Sequence, residues 1–582
     1  MDRFVQTLGR QPDLYAGDHA LRATLDRLLG PDGHATARGQ LSALAADAAG
    51  PLREAHLDAE AHPPELVRYD GWGRRVDQVR TSAGWETLRR AAAEYGLVAV
   101  PYDDDARKTW GAGARVVQLA LLHLYGPESA TFTCPVAMAD GAAALLSRSD
   151  TDSAVRDAWL PRLTSRDPDR ATCSGQWMTE TTGGSDISKT GTVARRDENG
   201  HWRLTGEKWF CSAVDSQLAI ALARPEGADE GSRGLACFLV PRYAADVPDA
   251  PRTLSPGDTA PGLRLHRLKD KLGTRAVPSA EVGLTDAYAV PVSDPGEPGL
   301  AKMMTLVQVT RLHNAAAAAA GMRRGLVQVR QHAETREAFG LRLWRQPLHR
   351  DTLAWLAVDA EAAFALTALC FSALGRVEVD ADPEAAALLR LAATLAKAGT
   401  GKLAVASASE YLECIGGNGY IEDTGYPRLL RDAQVLPIWE GTTNVLSLDV
   451  LRALARDSAA LPAYLRYLDR SIEAASASGE NWLTGVAEDL AGIRRDLGAD
   501  AESAAATAAT DRAQAGARSL TLRMANALAA AALVEQATFE AAAGNARTAL
   551  VAGLFVRRRL FGEDCAGEGH RGFAHLVDAE PL

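Results

Sequence analysis

The sequence has no C-x-x-C pair. Its seven cysteines, Cys134, Cys173, Cys211, Cys237, Cys370, Cys414 and Cys565, are scattered, so neither a disulfide framework nor a zinc site is expected, and no metal. No apolar run approaches the roughly 20 residues that cross a bilayer. The opening MDRFVQTLGRQPDLYAGD lacks the apolar segment and flanks of a secretory leader. Basic charge is not in excess: 63 Lys and Arg stand against 74 Asp and Glu, a net charge of −11, which removes any general attraction to nucleic acid or anionic lipid. These absences lead to the expectation of a cytoplasmic protein in a reducing compartment, without a membrane partner. With 582 residues, 47% hydrophobic and 24% charged, the chain has the balance of a globular protein and length for three or four packed units.

Periodicity divides the chain. The first 170 residues read as mostly helical: short helices with capping signals at Asp18 and Thr24, then WETLRRAAAEYGL ending at Gly96, then ARVVQLALLHLYG and TFTCPVAMADGAAALL. Between about 176 and 288 the segments alternate and are rich in β-branched residues, as in KTGTVARR, GHWRLTGEKWF, LACFLVP and SAEVGLTDA, which predicts a small antiparallel β domain. Ala- and Leu-rich helical patterns resume after Pro298 and continue past 455. From 456 to about 560 one or two long helices are expected, because helix propensity is high and Leu520, Met524, Ala527, Ala531 and Val534 recur at helical spacing.

Three separated segments carry chemistry. In WMTETTGGSD (177–186) paired glycines let backbone amides approach a ligand, and Thr179 and Ser185 supply small hydroxyls. LTGEKWFCSAVD (204–215) is an aromatic strand. The longest is YLECIGGNGYIEDTGYPRLLRDAQVLPIWEGTTN (411–444). It resembles, almost position by position, the G-G-x-G-[FY] turn, R-D helix and [IV]-[YW]-E-G-T-x-x-[NQ] segment of the acyl-CoA dehydrogenase superfamily. The first two segments resemble that superfamily's T-E-x-x-x-G-S-D loop and the strand whose Trp stacks near the flavin. EAHPPELVRYDGWGRRVDQVRTSAGWETL (60–88), GARVVQLALLHLY (113–125) and TFTCPVAM (131–138), together with LKDKLGTRAVPSAEV (268–282) and LDVLRAL (448–454), resemble the AidB adaptive-response branch. The resemblance covers roughly residues 10 to 560.

That resemblance implies an α+β, mainly α, acyl-CoA dehydrogenase fold in four segments: an N-terminal helical domain (1–175), a middle β domain (176–288), a helical bundle (289–455) and a C-terminal helical domain (456–582). It implies FAD as cofactor and an acyl thioester, or a related substrate with an acidic C–H, as the small-molecule partner. Removal of an α-proton while hydride leaves the β-carbon for flavin N5 requires one carboxylate, and Glu440 beside Ile438 and Trp439 fills that role. The cofactor set implied is Met178, Thr179, Gly184, Ser185, Trp209, Cys211, Ser212, Glu413, Gly416, Gly417, Trp439, Thr442 and Asn444, with Gly441 beside them. Cys211 stands where a Thr is expected, and a thiol is a poor donor to flavin N5. Arg336 and Phe339 resemble the R-x-x-F-G pair that reaches FAD from a neighbouring subunit, which implies a homo-oligomer, tetramer or dimer. Some family members carry an alternative Glu base where this chain has Thr310, beside Arg311, so the base is expected to be Glu440 alone. Ser185, Thr310 and Arg311 are expected to face substrate.

Other signals are weaker. WGAGARVVQLA (110–120) lacks the third glycine of a dinucleotide fingerprint, Val116 taking its place. His570 and His575 are five apart, which does not put two ligands on one helix face. Members of the AidB branch are associated with DNA and alkylation protection through a basic C-terminal domain. Here residues 456–582 hold 13 arginines and no lysine against 17 acidic residues, which disfavours a phosphate footprint. Arg557, Arg558 and Arg559, gathered with Arg494, Arg495 and Arg523, are the one basic group a fold could assemble. A dehydrogenase or oxidase is therefore the leading reading. A DNA-associated protective flavoprotein is second, and a flavin-bound scaffold without turnover is third.

Overall fold

The computed structural model describes residues 6, 8, 9 and 11–577. Near the start, where short helices are expected, α1 (His19–Ala49) is two helices joined across a kink at Gly30, whose φ of 70° and ψ of 169° are not helical, just before Pro31. The Asp18 carboxylate accepts from Leu21 N at 3.1 Å at its beginning, as a cap should. After α2 (Pro51–Ala61) the chain departs from the helical reading. Strands β1 (Glu65–Tyr69) and β2 (Arg75–Arg80) form an antiparallel ribbon around a Gly-Trp-Gly turn. Helix α3 (Ala83–Glu94) is capped by Ser82 and followed by Gly96 at φ 67°. Helices α4 (Asp104–Trp110), α5 (Ala114–Tyr125), α6 (Thr133–Leu146) and α7 (Ser153–Leu163) complete this part.

The middle region holds β3 (Ser174–Trp177), β4 (Val193–Arg196), β5 (Trp202–Ser212), β6 (Leu218–Pro225), β7 (Ala236–Pro241), β8 (Leu263–Leu268) and β9 (Ser279–Pro291). Neighbours run β3-β6-β4-β5-β9-β7, with β8 on β9 and a further β6–β7 pairing. Strand β6 thus returns to β7, closing the sheet on itself. It is not purely antiparallel as expected, because β6 pairs in parallel with both β3 and β4. Strands β6 and β7 are buried along almost their whole length, and such a doubly covered strand reads as a continuous apolar run that does not reveal its direction.

Helices follow: α8 (Gly299–Thr335), then the two-residue strands β10 (Glu337–Ala338) and β11 (Leu341–Arg342), α9 (Pro347–Asp380), α10 (Pro383–Ile415), α11 (Tyr426–Ala433) and α12 (Thr443–Arg456). The C-terminal segment forms α13 (Ala460–Ala477), α14 (Asn481–Ala506), α15 (Asp511–Ala541) and α16 (Arg547–Val556), more helices than expected. The helical face read along α15 is real: Leu520, Met524, Ala527, Ala531 and Val534 are all buried.

The described chain forms two compact units. One contains α1, Asp105–Pro127 and the chain from Asn314 onward; the other contains Gly50–Asp104 and Glu128–His313. Each unit draws on stretches that are separate in the chain. In the first unit α1 packs on α5, and both meet α9, so helices from the N-terminal segment share a core with those of the bundle. Helix α9 is long and apolar enough to cross a membrane by composition, but 89% of its most apolar stretch is buried inside the protein. The C-terminal helices α13 and α15 pack on α10 in the same unit.

Candidate functional site

In the unit built on Gly50–Asp104 and Glu128–His313, the loop after β3 carries Met178, Thr179, Gly184 and Ser185. Its shape depends on a residue that sequence reasoning passed over. Glu180, 6% exposed, accepts from Gly191 N at 2.6 Å and Thr192 Oγ1 at 2.6 Å, and from the ammonium of Lys208 at 2.7 Å. Lys208 is itself buried and also donates to Leu222 O at 2.8 Å. Burial pushes the Glu180 carboxyl up, but the Lys208 ammonium and the other donors outweigh it and hold it below the usual range. The loop is closed at its base by Trp209 N donating to Thr179 O at 2.9 Å. Gly184 lies against Thr179: a Cβ there would meet Thr179 Oγ1 at 2.7 Å. Ser185 is exposed.

Strand β5 corrects the reading of the aromatic segment. Its register against β9 shifts between Lys208 and Cys211, and this bulge turns both of those side chains inward. Cys211 is fully buried among apolar residues of the sheet core. Burial pushes its thiol far above the ordinary range, so its side chain does not stand on the open face as assigned. Ser212, on the next position, is half-buried and its hydroxyl meets Ser279 Oγ at 3.0 Å. Trp209 has the Lys269 ammonium 3.2 Å from its ring centroid, whereas Phe210 is 58% exposed. The aromatic and the hydroxyl on the accessible side are therefore Phe210 and Ser212. Thr310 and Arg311, near the end of this unit, are buried, and Thr310 Oγ1 donates to Val307 O at 3.1 Å.

In the other unit Arg336 and Phe339 are not on a helix. Helix α8 stops at Thr335, and Phe339-Gly340 forms the two-residue turn of the β10–β11 ribbon with φ of 52° and 78°. Both central residues at positive φ is the hairpin geometry that ordinarily selects Asn-Gly. A phenylalanine there, 99% exposed, is unfavourable in the isolated chain in both backbone and solvation. Glu413 is exposed near the end of α10, whose C-terminus is closed by Gly416 at φ 72°. Gly416 and Gly417 have open space where a side chain would stand. Thr442 caps α12, accepting from Val445 N, and Asn444 Oδ1 accepts from Arg518 at 3.1 Å.

Glu440 belongs to this unit. It is partly buried and held at φ 56°, with Gly441 next at φ 100°. The turn before it is tied to α8: Asn314 Nδ2 donates to Leu436 O at 3.2 Å, and Trp439 Nε1 donates to Asn314 Oδ1. After it, Lys397 Nζ on α10 donates to Gly441 O at 2.5 Å. Asn314 and Lys397 are 3% and 0% exposed. Neither was among the assigned residues, although Lys397 is the one charge in LAATLAKAGTG.

Of the C-terminal arginines singled out in the sequence, Arg495 is exposed, and the others are engaged by acids or an aromatic ring. Arg557 bonds Glu563 and Glu568, each at 2.7 Å, Arg558 covers the Trp355 ring, and Arg559 pairs with Asp359. Arg494 is bidentate to Asp469 and Arg523 bonds Asp500. In the β unit, ligand-type atoms of Asp197, His201 and Asp249 approach within 4.8 Å of one another, but the Arg203 guanidinium bonds both carboxylates. That cluster is an ion pair.

Family models match the AidB N-terminal domain at residues 6–170, the acyl-CoA dehydrogenase middle domain at 175–287 and the acyl-CoA dehydrogenase C-terminal domain at 297–455. Acyl-CoA dehydrogenase family member 11 of Caenorhabditis elegans is 39% identical over 460 residues, covering 78% of this chain and 72% of that protein. The chain belongs to the acyl-CoA dehydrogenase family. Within that family of FAD-dependent oxidoreductases its likeness is to the AidB type. The putative acyl-CoA dehydrogenase AidB of Escherichia coli (strain K12) is 35% identical over 407 residues, 69% of this chain and 71% of that protein. The crystal structure of C. elegans ACDH-11 in complex with C11-CoA superimposes with a TM-score of 0.90 at 33% identity, over 99% of this chain and 97% of that one. This member of the acyl-CoA dehydrogenase family also resembles the structure titled Bd2924 apo-form, with a TM-score of 0.79 and 38% identity over 92% of this chain and 99% of that one.

Proposed function

We propose that this protein dehydrogenates a coenzyme A thioester, with Glu440 as the base that takes the α-proton. The observation that carries the reading is the setting of Glu440: partly buried, at φ 56°, in a turn held on one side by Asn314 and on the other by Lys397. The C. elegans homologue's complex with C11-CoA supports a CoA thioester as the substrate class.

Each unit, taken by itself, offers groups whose chemistry suits one part of a flavin cofactor. Hydroxyls and backbone amides of the Thr179–Ser185 loop and of Ser212 suit a heteroaromatic edge, and the Phe210 ring suits its face. The Thr442-capped N-terminus of α12 and the unobstructed Gly416-Gly417 backbone suit a pyrophosphate. FAD, when bound, supplies the hydride acceptor. The protein's own part is to orient the thioester, exclude water and hold a deprotonated carboxylate at the α-carbon. The exposed Phe339, Leu341 and Leu348, close together in the chain, support a homo-oligomer in which a neighbouring subunit covers the ribbon, and the seven free cysteines are compatible with a reducing cytoplasm.

The test is anaerobic titration of the purified yellow protein with short-, medium- and long-chain acyl-CoA thioesters, C11-CoA included. Bleaching of the flavin band by at least one is the expected result. Failure of the whole panel to bleach it contradicts the assignment. The DNA-associated alternative has the AidB likeness in its favour, but the paired C-terminal arginines weigh against it.

A further inference from the structure

Two buried side chains far apart in sequence end on the turn that carries Glu440. Asn314 uses both ends of its amide there, donating to Leu436 O and accepting from the Trp439 indole. Lys397 approaches from another helix and donates to Gly441 O at 2.5 Å. One turn along α10 from Lys397, Gly401 leaves room for the chain to come close: a Cβ at Gly401 would lie 3.3 Å from Leu436 O and Pro437 N. The Gly441 carbonyl after Glu440 and the Trp439 side chain before it are thus both held, while the backbone of Glu440 and Gly441 between them stands at positive φ.

Packing alone does not call for these side chains. A lysine with no exposed surface is expensive to desolvate, and an apolar residue of its length would fill the same space. Its ammonium is instead aimed at a main-chain carbonyl. Asn314 precedes a run of six alanines in α8, where any small residue would suit the helix and few could bond at both ends. What the two have in common is the orientation of residue 440.

Resting on the reading of Glu440 as the base, we infer that Asn314 and Lys397 are positioning residues that clamp the Leu436–Gly441 turn from α8 and α10 and fix the direction of the Glu440 carboxylate. A displacement of about 1 Å of a reacting group can lower a rate roughly 100-fold, so a clamp on the backbone is a lever on catalysis without contact with substrate. The bonds also secure the strained conformation in the absence of ligand, so part of the effect is visible in the protein alone.

The experiment compares Lys397→Met, Asn314→Ala, Trp439→Phe and the Asn314→Ala/Trp439→Phe double variant with wild type and Glu440→Gln. Single-turnover flavin reduction by saturating acyl-CoA, flavin stoichiometry, acyl-CoA dissociation constant and amide hydrogen exchange are measured. Lys397→Met and Asn314→Ala are each expected to slow reduction about 10- to 100-fold. Flavin content and acyl-CoA affinity should stay within about twofold, and exchange across 436–444 should quicken with the rest of the protein unchanged. The double variant is expected to be no slower than its slower parent, the non-additivity of a shared bond. Should Lys397→Met not accumulate as holoprotein, the Asn314 and Trp439 pair decides. Wild-type reduction rates in the clamp variants while Glu440→Gln is inactive would overturn this inference alone, as would rate losses that merely track lost flavin. Fast reduction by Glu440→Gln would overturn the assignment of the base itself.

Discussion

A left-handed backbone at an L-residue costs on the order of 1–2 kcal/mol, and Glu440 bears that strain at φ 56°. Glycine adopts the same conformation freely. Glu440→Gly should therefore keep or raise the melting temperature while turnover disappears, a separation of stability from activity that calorimetry and a flavin-reduction assay read side by side. A lower melting temperature would show that the side chain, not the backbone, is what the fold requires. The strand nearby offers a second contrast. Ser212→Ala should slow flavin reduction or shift the flavin spectrum, whereas Cys211→Ala, which alters a side chain facing the core, should leave both unchanged. The reverse pattern would restore the thiol to the open face. The error in the sequence reading arose at the bulge: counting from Trp209 puts Cys211 at the hydroxyl position, and only the shifted register shows that Lys208 and Cys211 face inward together.

Among the elements, the loop from Glu180 to Thr192 has the most to lose. Its buried carboxylate joins backbone, hydroxyl and ammonium donors, and removing one partner of a buried pair costs about 3–5 kcal/mol. Glu180→Gln is expected to lower the melting temperature and loosen flavin retention at neutral pH. The Glu180 pKa is held below its ordinary value of 4.5, so its contribution is complete above that value and is lost as pH falls through the lower value of the folded protein. Fluorescence of released flavin on acidification checks this: wild type should hold flavin as pH drops past 4.5, and the variant should start weaker with a flatter acid dependence. Glu180 and Lys208 lay inside segments already singled out in the sequence, yet their roles were not legible there, because a buried pair 28 residues apart leaves no local periodic mark. The helical pattern of α15 was legible, since Leu520, Met524 and their partners repeat within one element. The β1–β2 ribbon was not, because its short alternating strands sit among helices.

For the whole molecule, the fold class and the order of helix, β region and helices were readable from periodicity and from the 411–444 motif. The grouping of α1 and α5 with the bundle was not, since shared cores between distant helices are set by packing and not by sequence neighbourhood. Charge acts at this scale too. With a net charge of −11 and Arg557, Arg559, Arg494 and Arg523 each paired with an acid, the protein should show no duplex DNA binding near physiological ionic strength. A salt-dependent gel shift at that ionic strength would contradict this. The central claim, however, is a single carboxylate acting on an acyl thioester, and anaerobic stopped-flow reduction of the flavin by the best thioester of the panel tests it most directly. Glu440→Gln should fall about 10²- to 10⁴-fold below wild type with flavin and ligand still bound, and reduction of that variant at the wild-type rate would contradict the account.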